Sequence, residues 1–162
     1  MQLNLAQQLA AEVVERLAPF CTRIEVAGSI RRRKPECRDI DIVLITRDPW
    51  GLNQELRQLG MISAAGAKLQ RLTYKDVQVD IYFATPAIWA TLLLIRTGSV
   101  GNNIRLCSLA KSKGLKLHAD GSGLFRMEVQ GCDGKEVRIA GDTEESIYRT
   151  LGVPFQKPEE RV

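Results

Sequence analysis

The sequence predicts an α+β fold in two lobes. Helix-period and strand-period segments are interleaved up to about residue 85, and beyond it helices come first and a run of short strands follows. At 162 residues and 44% hydrophobic composition the chain can bury one real core, or two small lobes sharing one. Apolar residues are plentiful and well spread, which argues against disorder, and no long repeat or low-complexity tract interrupts them.

Each element has its own signal. Leu5, Leu9, Val13 and Leu17 recur with helical spacing beside Ala6 and Ala10, and Pro19 follows the helix they define. Arg23 to Ala27 alternates as a short strand that Gly28-Ser29 breaks, and Asp39 to Thr46 reads as a second strand, apolar after its first residues. Pro49 to Leu59 is a helix with Leu52, Leu56 and Leu59 on one face and Gly60 after it. Lys68 to Thr73 and Val77 to Ala84 are two strands joined by the polar turn Tyr74-Lys75-Asp76. Thr85-Pro86 resembles a cap and first position for a helix running to about Arg96. Thr97-Gly98-Ser99 then interrupts, and a further helix spans Asn102 to Lys113 and stops at Gly114. Residues 115–140 read as short strands with turns at Asp120-Gly121, Gly123 and Asp133-Gly134. Asp142 to Leu151 is a last short helix with Asp142 and Glu145 at capping-box spacing, and Pro154 and Pro158 mark the tail.

Composition excludes several classes. Cys21, Cys37, Cys107 and Cys132 are scattered with no CxxC pair, and His118 is the single histidine, so a structural zinc site is not expected. The first residues lack a basic start and are interrupted by Gln7, Gln8 and Glu12, unlike a signal peptide. The longest apolar run, Ala87 to Ile95, is far short of the roughly 20 residues of a bilayer span. A soluble intracellular protein with reduced thiols, without a membrane partner, is the expectation. The net charge of +4 and pI near 9 suit an anionic partner without demanding one.

The segment GSIRRRKPECRDIDIV, residues 28–43, concentrates charge of both signs against an apolar strand. Asp39 and Asp41 are one residue apart in the predicted strand, so both point to one face, roughly 6.6 Å apart along it. Two carboxylates that close repel, and a hard divalent cation such as Mg²⁺ would suit the space between them. Asp80, in the apolar strand VQVDIYF, offers a third carboxylate if that strand lies beside the first. Three carboxylates can hold two metals roughly 3.5–4 Å apart, the clamp of a phosphoryl transfer. A glycine turn at Gly28-Ser29 leading into a helix start exposes backbone N–H groups to an anion, Ser29 adds a hydroxyl, and Arg31 and Arg32 add charge-assisted bonds to phosphate. Taken singly, a basic run is usually a solvated face, a DxD pair a solvent-facing strand edge and a Gly-Ser step an ordinary turn. The combination points to nucleotidyl transfer.

These motifs resemble a known family. GSxRR…DIDI followed by QVDIYF looks like the palm of the nucleotidyltransferase superfamily. RTGSVGNNIRLCSLAKSKGLKL, DGSGLF and EESIYRTLGVPFQKPEER look like the C-terminal part of family X DNA polymerases, the polymerase beta group. The resemblance covers most of residues 24–161. It implies a palm with a mixed sheet over residues 1–85, N-terminal helix included, and a small α/β thumb lobe over residues 86–162. It makes Asp39, Asp41 and Asp80 the catalytic, metal-binding triad for two Mg²⁺ ions, with Mn²⁺ as a substitute, and Asp80 the acceptor of the primer hydroxyl proton. It matches Gly28, Ser29 and Arg32 to triphosphate contacts, with Arg31 and Gly98 as further candidates for nucleotide binding, and Asn103 and Arg105 to residues that touch the incoming nucleotide and the template minor groove; Lys111 and Lys113 are candidate contacts to DNA outside the resemblance. The expected reaction is in-line attack of a primer 3′-hydroxyl on the α-phosphate with release of pyrophosphate, at gaps in duplex DNA, by a monomer that an accessory protein would help to hold DNA.

The sequence departs from the family pattern in three places, one of them a short thumb turn, TGSVGNNIR, that leaves Asn102 and Asn103 as alternatives for the nucleotide contact. About 22 residues precede the first palm strand and read as one helix, so a lyase domain and fingers are not expected, and the palm-plus-thumb members are the nearer comparison. Ile95-Arg96 stands where the family carries an aromatic pair that polices the sugar 2′-position, which leaves deoxy- against ribonucleotide choice open. Trp50 reads as a surface aromatic, Trp89 as core, His118 as an exposed loop histidine and Cys37 as a bystander, since hard cations avoid thiols. Lys116 joins Lys111 and Lys113 as a phosphate contact or a solvated helix end. Two other functions compete: template-independent transfer to RNA, protein or a small molecule, and a non-catalytic palm-thumb module that binds nucleic acid.

Overall fold

The computed structural model describes residues 1–130 and 133–161 and divides into two compact units, Met1–Pro86 and Ala87–Val162. Cys132 and the Gly131 before it lie outside the described residues.

The first unit is a five-stranded mixed sheet. Its elements are α1 (Leu3–Leu17), β1 (Cys21–Val26), the four-residue α2 (Gly28–Arg31), β2 (Ile40–Thr46), α3 (Pro49–Leu59), β3 (Met61–Ala65), β4 (Leu69–Tyr74) and β5 (Val77–Phe83). The strand order is β1-β2-β5-β4-β3; β2 and β5 run parallel and every other pair is antiparallel. Alternation decides the faces. Ile40, Ile42 and Leu44 of β2, Val79 and Ile81 of β5 and Leu72 of β4 form one core with Ala6, Leu9, Ala10, Val13 and Leu17 of α1 and Leu52, Leu56 and Leu59 of α3. The intervening residues Asp41, Arg71 and Asp80 must therefore share the opposite face. Leu5, expected in the apolar stripe of α1, is instead 48% exposed, because Ala6 and Ala10 take the face toward the sheet.

The second unit holds α4 (Trp89–Thr97), α5 (Val100–Ser112), α6 (Glu144–Leu151) and an antiparallel sheet of β6 (Leu115–His118), β7 (Gly123–Gln130) and β8 (Asp133–Ala140). Leu94, Ile95, Leu106, Ala110, Leu117, Leu124, Ile147, Tyr148 and Leu151 make its core. The tail returns to this core through Arg161, 1% exposed, which donates to the Gln156 carbonyl at 2.9 and 3.0 Å and to Glu144. Its guanidinium also lies over the Tyr148 and Phe155 rings, 5.7 and 5.6 Å from their centroids.

Several boundaries differ from the sequence reading. β2 starts at Ile40, leaving Asp39 in the bend before it. Strand β3 had no sequence signal. Residues 86–88 form a turn and α4 starts at Trp89, so Thr85 caps nothing. Asp133-Gly134 opens β8 rather than forming a turn. His118 closes β6 and meets Glu136 at 3.0 Å and the edge of Phe125 rather than lying free in a loop. Asp142 pairs with Arg138 at 2.8 Å, and α6 is capped by Thr143, whose Oγ1 accepts from Ser146 N at 3.0 Å while Ser146 Oγ accepts from Thr143 N at 3.4 Å. Thr143→Ala will lower the stability of this unit by about 1 kcal/mol, read from an equilibrium melt followed by the fluorescence of the buried Trp89.

Candidate active site

The acidic pair is built by strand register. Asp41 of β2 and Asp80 of β5 are direct partners in a parallel ladder, so their carboxylates stand on the same face of adjacent strands, whose backbones are about 4.8 Å apart. Asp39 lies in the bend two residues before Asp41. The strand of Asp80 thus lies beside that of Asp41, as the three-carboxylate reading requires.

Gly28 closes over Asp41. It has φ +57°, in the left-handed region, and a Cβ there would lie 2.0 Å from Asp41 Oδ2. Glycine meets both demands, the backbone angle and the close approach to a carboxylate. The chain then enters α2, and the buried Ser29 Oγ has no hydrogen-bond partner among the described residues. A buried hydroxyl without a partner is costly unless a ligand supplies one. Trp50 is 75% exposed and Trp89 is buried in α4. Cys37 is buried and turned toward the Lys34 carbonyl at 3.6 Å.

Sequence reasoning missed the group nearest the acids. Arg71 of β4 grips Asp80 with two hydrogen bonds, Nε to Oδ1 at 2.6 Å and Nη2 to Oδ2 at 2.7 Å. Gln78 Nε2 lies 3.3 and 3.4 Å from the same two oxygens, and Tyr82 OH lies 3.5 Å from Oδ2. The guanidinium's hold on its proton is raised first by the Asp80 hydrogen bonds, then by the charges of Asp80 and, more weakly, Asp39. A signal existed: counting back from the Lys75-Asp76 turn, where both residues have positive φ, sets Arg71 opposite Asp80.

Asp41 and Asp80 offer carboxylate oxygens on one face of the sheet, the hard donors that a divalent cation prefers. Among the described residues, however, no three acidic, thiol or imidazole groups form a ready-made cage. Both oxygens of Asp80 are directed at Arg71.

The other predicted residues lie in the second unit. Gly98, with φ +69° and a cis peptide to Ser99, ends α4, and Ser99 Oγ accepts from Asn102 N at 3.2 Å to start α5. Asn103 Nδ2 donates to the Ile95 carbonyl at 2.8 Å, while its buried Oδ1 has no partner among the described residues. Arg105 donates to Asn102 Oδ1 at 3.0 Å and also to Gln156, so the tail segment engages it. Lys111 is in the last turn of α5 and Lys113 just beyond it, both exposed.

The chain is similar to known proteins in sequence and in fold. The model of the DNA polymerase beta thumb matches residues 92–162. The DNA polymerase/3′-5′ exonuclease PolX of Bacillus subtilis is 26% identical over 98% of the chain, and the DNA polymerase lambda of Rattus norvegicus is 28% identical over 83%. The chain spans 28% of the length of each of these curated relatives. Among solved structures, the polymerase beta of Leishmania infantum in a ternary P/T complex superposes with a TM-score of 0.80 at 22% identity, covering 100% of this chain and 76% of that one. Its ternary gap complex gives 0.79 at 21% identity, over 99% and 70%. These structural likenesses concern the fold.

Proposed function

The chain is a relative of the family X DNA polymerases, and on that premise we propose that it transfers a nucleotide from a nucleoside triphosphate to the 3′-hydroxyl of a DNA primer, with gapped duplex as the favoured substrate. The observation that carries this reading is the in-register pair Asp41 and Asp80, with Gly28 over Asp41 and the unpartnered Ser29 hydroxyl next in the chain. Asp39, Asp41 and Asp80 would hold two Mg²⁺ ions, or Mn²⁺ in their place, which when bound neutralise charge on the phosphates and on the attacking oxygen. Gly28 lets the backbone approach the triphosphate, and Ser29, Arg31 and Arg32 hold its oxygens. Asp80 accepts the proton of the 3′-hydroxyl. The new bond joins that oxygen to the α-phosphorus, the bond from the α-phosphorus to the bridging oxygen breaks, and pyrophosphate leaves with the electron pair. In the second unit Gly98 and Asn103 would contact the nucleotide, and Arg105, Lys111 and Lys113 would contact DNA.

Primer extension on gapped, recessed, blunt and single-stranded DNA with Mg²⁺ tests the proposal. Extension is expected to be strongest on the gapped duplex, to stop with a chelator and to be lost in Asp41→Asn. Equal extension of single-stranded ends would move the reading to template-independent transfer. One observation favours a non-catalytic binding module, the closure of Arg71 on Asp80. DNA binding without extension or metal-linked nucleotide binding would establish it.

A further inference from the structure

We propose that Arg71 controls the access of a divalent cation to Asp80, keeping this carboxylate closed until a cation outcompetes the guanidinium. The inference rests on the reading of the triad as a cation site, and it concerns a residue outside that triad.

The pair is asymmetric. The Asp80 side chain is 5% exposed, whereas that of Arg71 is 41% exposed. A bidentate guanidinium uses one lone pair on each carboxylate oxygen and sets a fixed positive charge beside the place a cation would occupy. Arg71 can swing toward solvent, since its side chain is 41% exposed, and a cation bound at Asp80 would replace the charge it withdraws. Asp80 cannot leave, because Gln78 and Tyr82 flank it from its own strand at 3.3–3.5 Å. The same two donors would keep the carboxylate in place once the arginine has swung away. The consequence is a site in which cation binding and release of Arg71 are one exchange, so affinity for the cation alone is held low.

The test is a titration of the full chain with Mn²⁺ alone, without DNA or nucleotide, read by electron paramagnetic resonance of free Mn²⁺ and by calorimetry. Arg71→Gln is expected to bind Mn²⁺ about tenfold more tightly than the wild type, the scale of one competing charge-assisted hydrogen bond. Arg71→Lys is expected to fall between the two, because an ammonium cannot span both oxygens in plane; it also decides the matter if Arg71→Gln does not fold. Unchanged or weaker Mn²⁺ binding in the folded variants overturns the proposal. Asp39→Asn in the wild-type background separates the two levels. If it weakens Mn²⁺ binding while the Arg71 variants bind no more tightly, the gate alone is wrong. If it has no effect, the triad is not the cation site and the gate falls with it.

Discussion

Replacing Asp80 with asparagine will reduce primer extension roughly 10²–10⁴-fold while leaving the protein folded, the range expected when a positioned proton acceptor is removed. Asparagine keeps the size of the side chain and loses both its charge and its basicity. Arg71 then lacks its partner, but its head is partly exposed and water can replace the lost bonds, so the fold has little to lose. Single-turnover extension on a gapped duplex with saturating Mg²⁺ and nucleotide measures the effect, and far-UV circular dichroism checks the fold. A folded Asp80→Asn protein that extends at the wild-type rate would remove Asp80 from the chemistry.

Arg161→Ala is expected to destabilise the second unit by about 3–5 kcal/mol, because it breaks a buried ion pair with Glu144. The same change removes the guanidinium from the Tyr148 and Phe155 rings and from the Gln156 carbonyl. Folded domains have only about 5–15 kcal/mol in all, so this unit would be marginal at 37 °C. Urea unfolding followed at Trp89 in a Trp50→Phe background, where Trp89 of the same unit is the one remaining tryptophan, separates the loss from any change in the other unit. The double change Arg161→Met with Glu144→Leu should recover much of it, since paired removal leaves no uncompensated charge. A loss below about 1 kcal/mol in the single variant would show that the pair is not insulated from water.

The sequence was readable wherever a local rule governs. Pro49 at the start and Gly60 after the end bracket α3, and its observed bounds, Pro49–Leu59, are those expected. The apolar run around Asp80 and the one after Asp41 marked two core strands, and the register sets the two acids abreast. It was unreadable where a partner elsewhere decides. In strand β3, MISAA, three of the five residues are alanine or serine; pairing with β4, not its own propensity, makes it a strand. Thr85-Pro86 has the look of a helix start, but the chain makes a turn first. Asp142 was the expected cap of α6, but Arg138 captures its carboxylate and Thr143 takes the position. At the site, Arg71 reads as one more charge in a strand until the register of the β4–β5 hairpin sets it against Asp80.

The parallel pairing of β2 with β5 has a kinetic consequence. Neighbouring parallel strands cannot be joined by a tight turn, and here the connection runs through α3, β3 and β4 before β5 returns to lie against β2. Asp41 and Asp80 therefore come abreast only when a long loop has closed, a slow event compared with forming the β4–β5 hairpin. The Arg71–Asp80 contact belongs to that early hairpin, so the second acid has its counter-charge before the first one arrives.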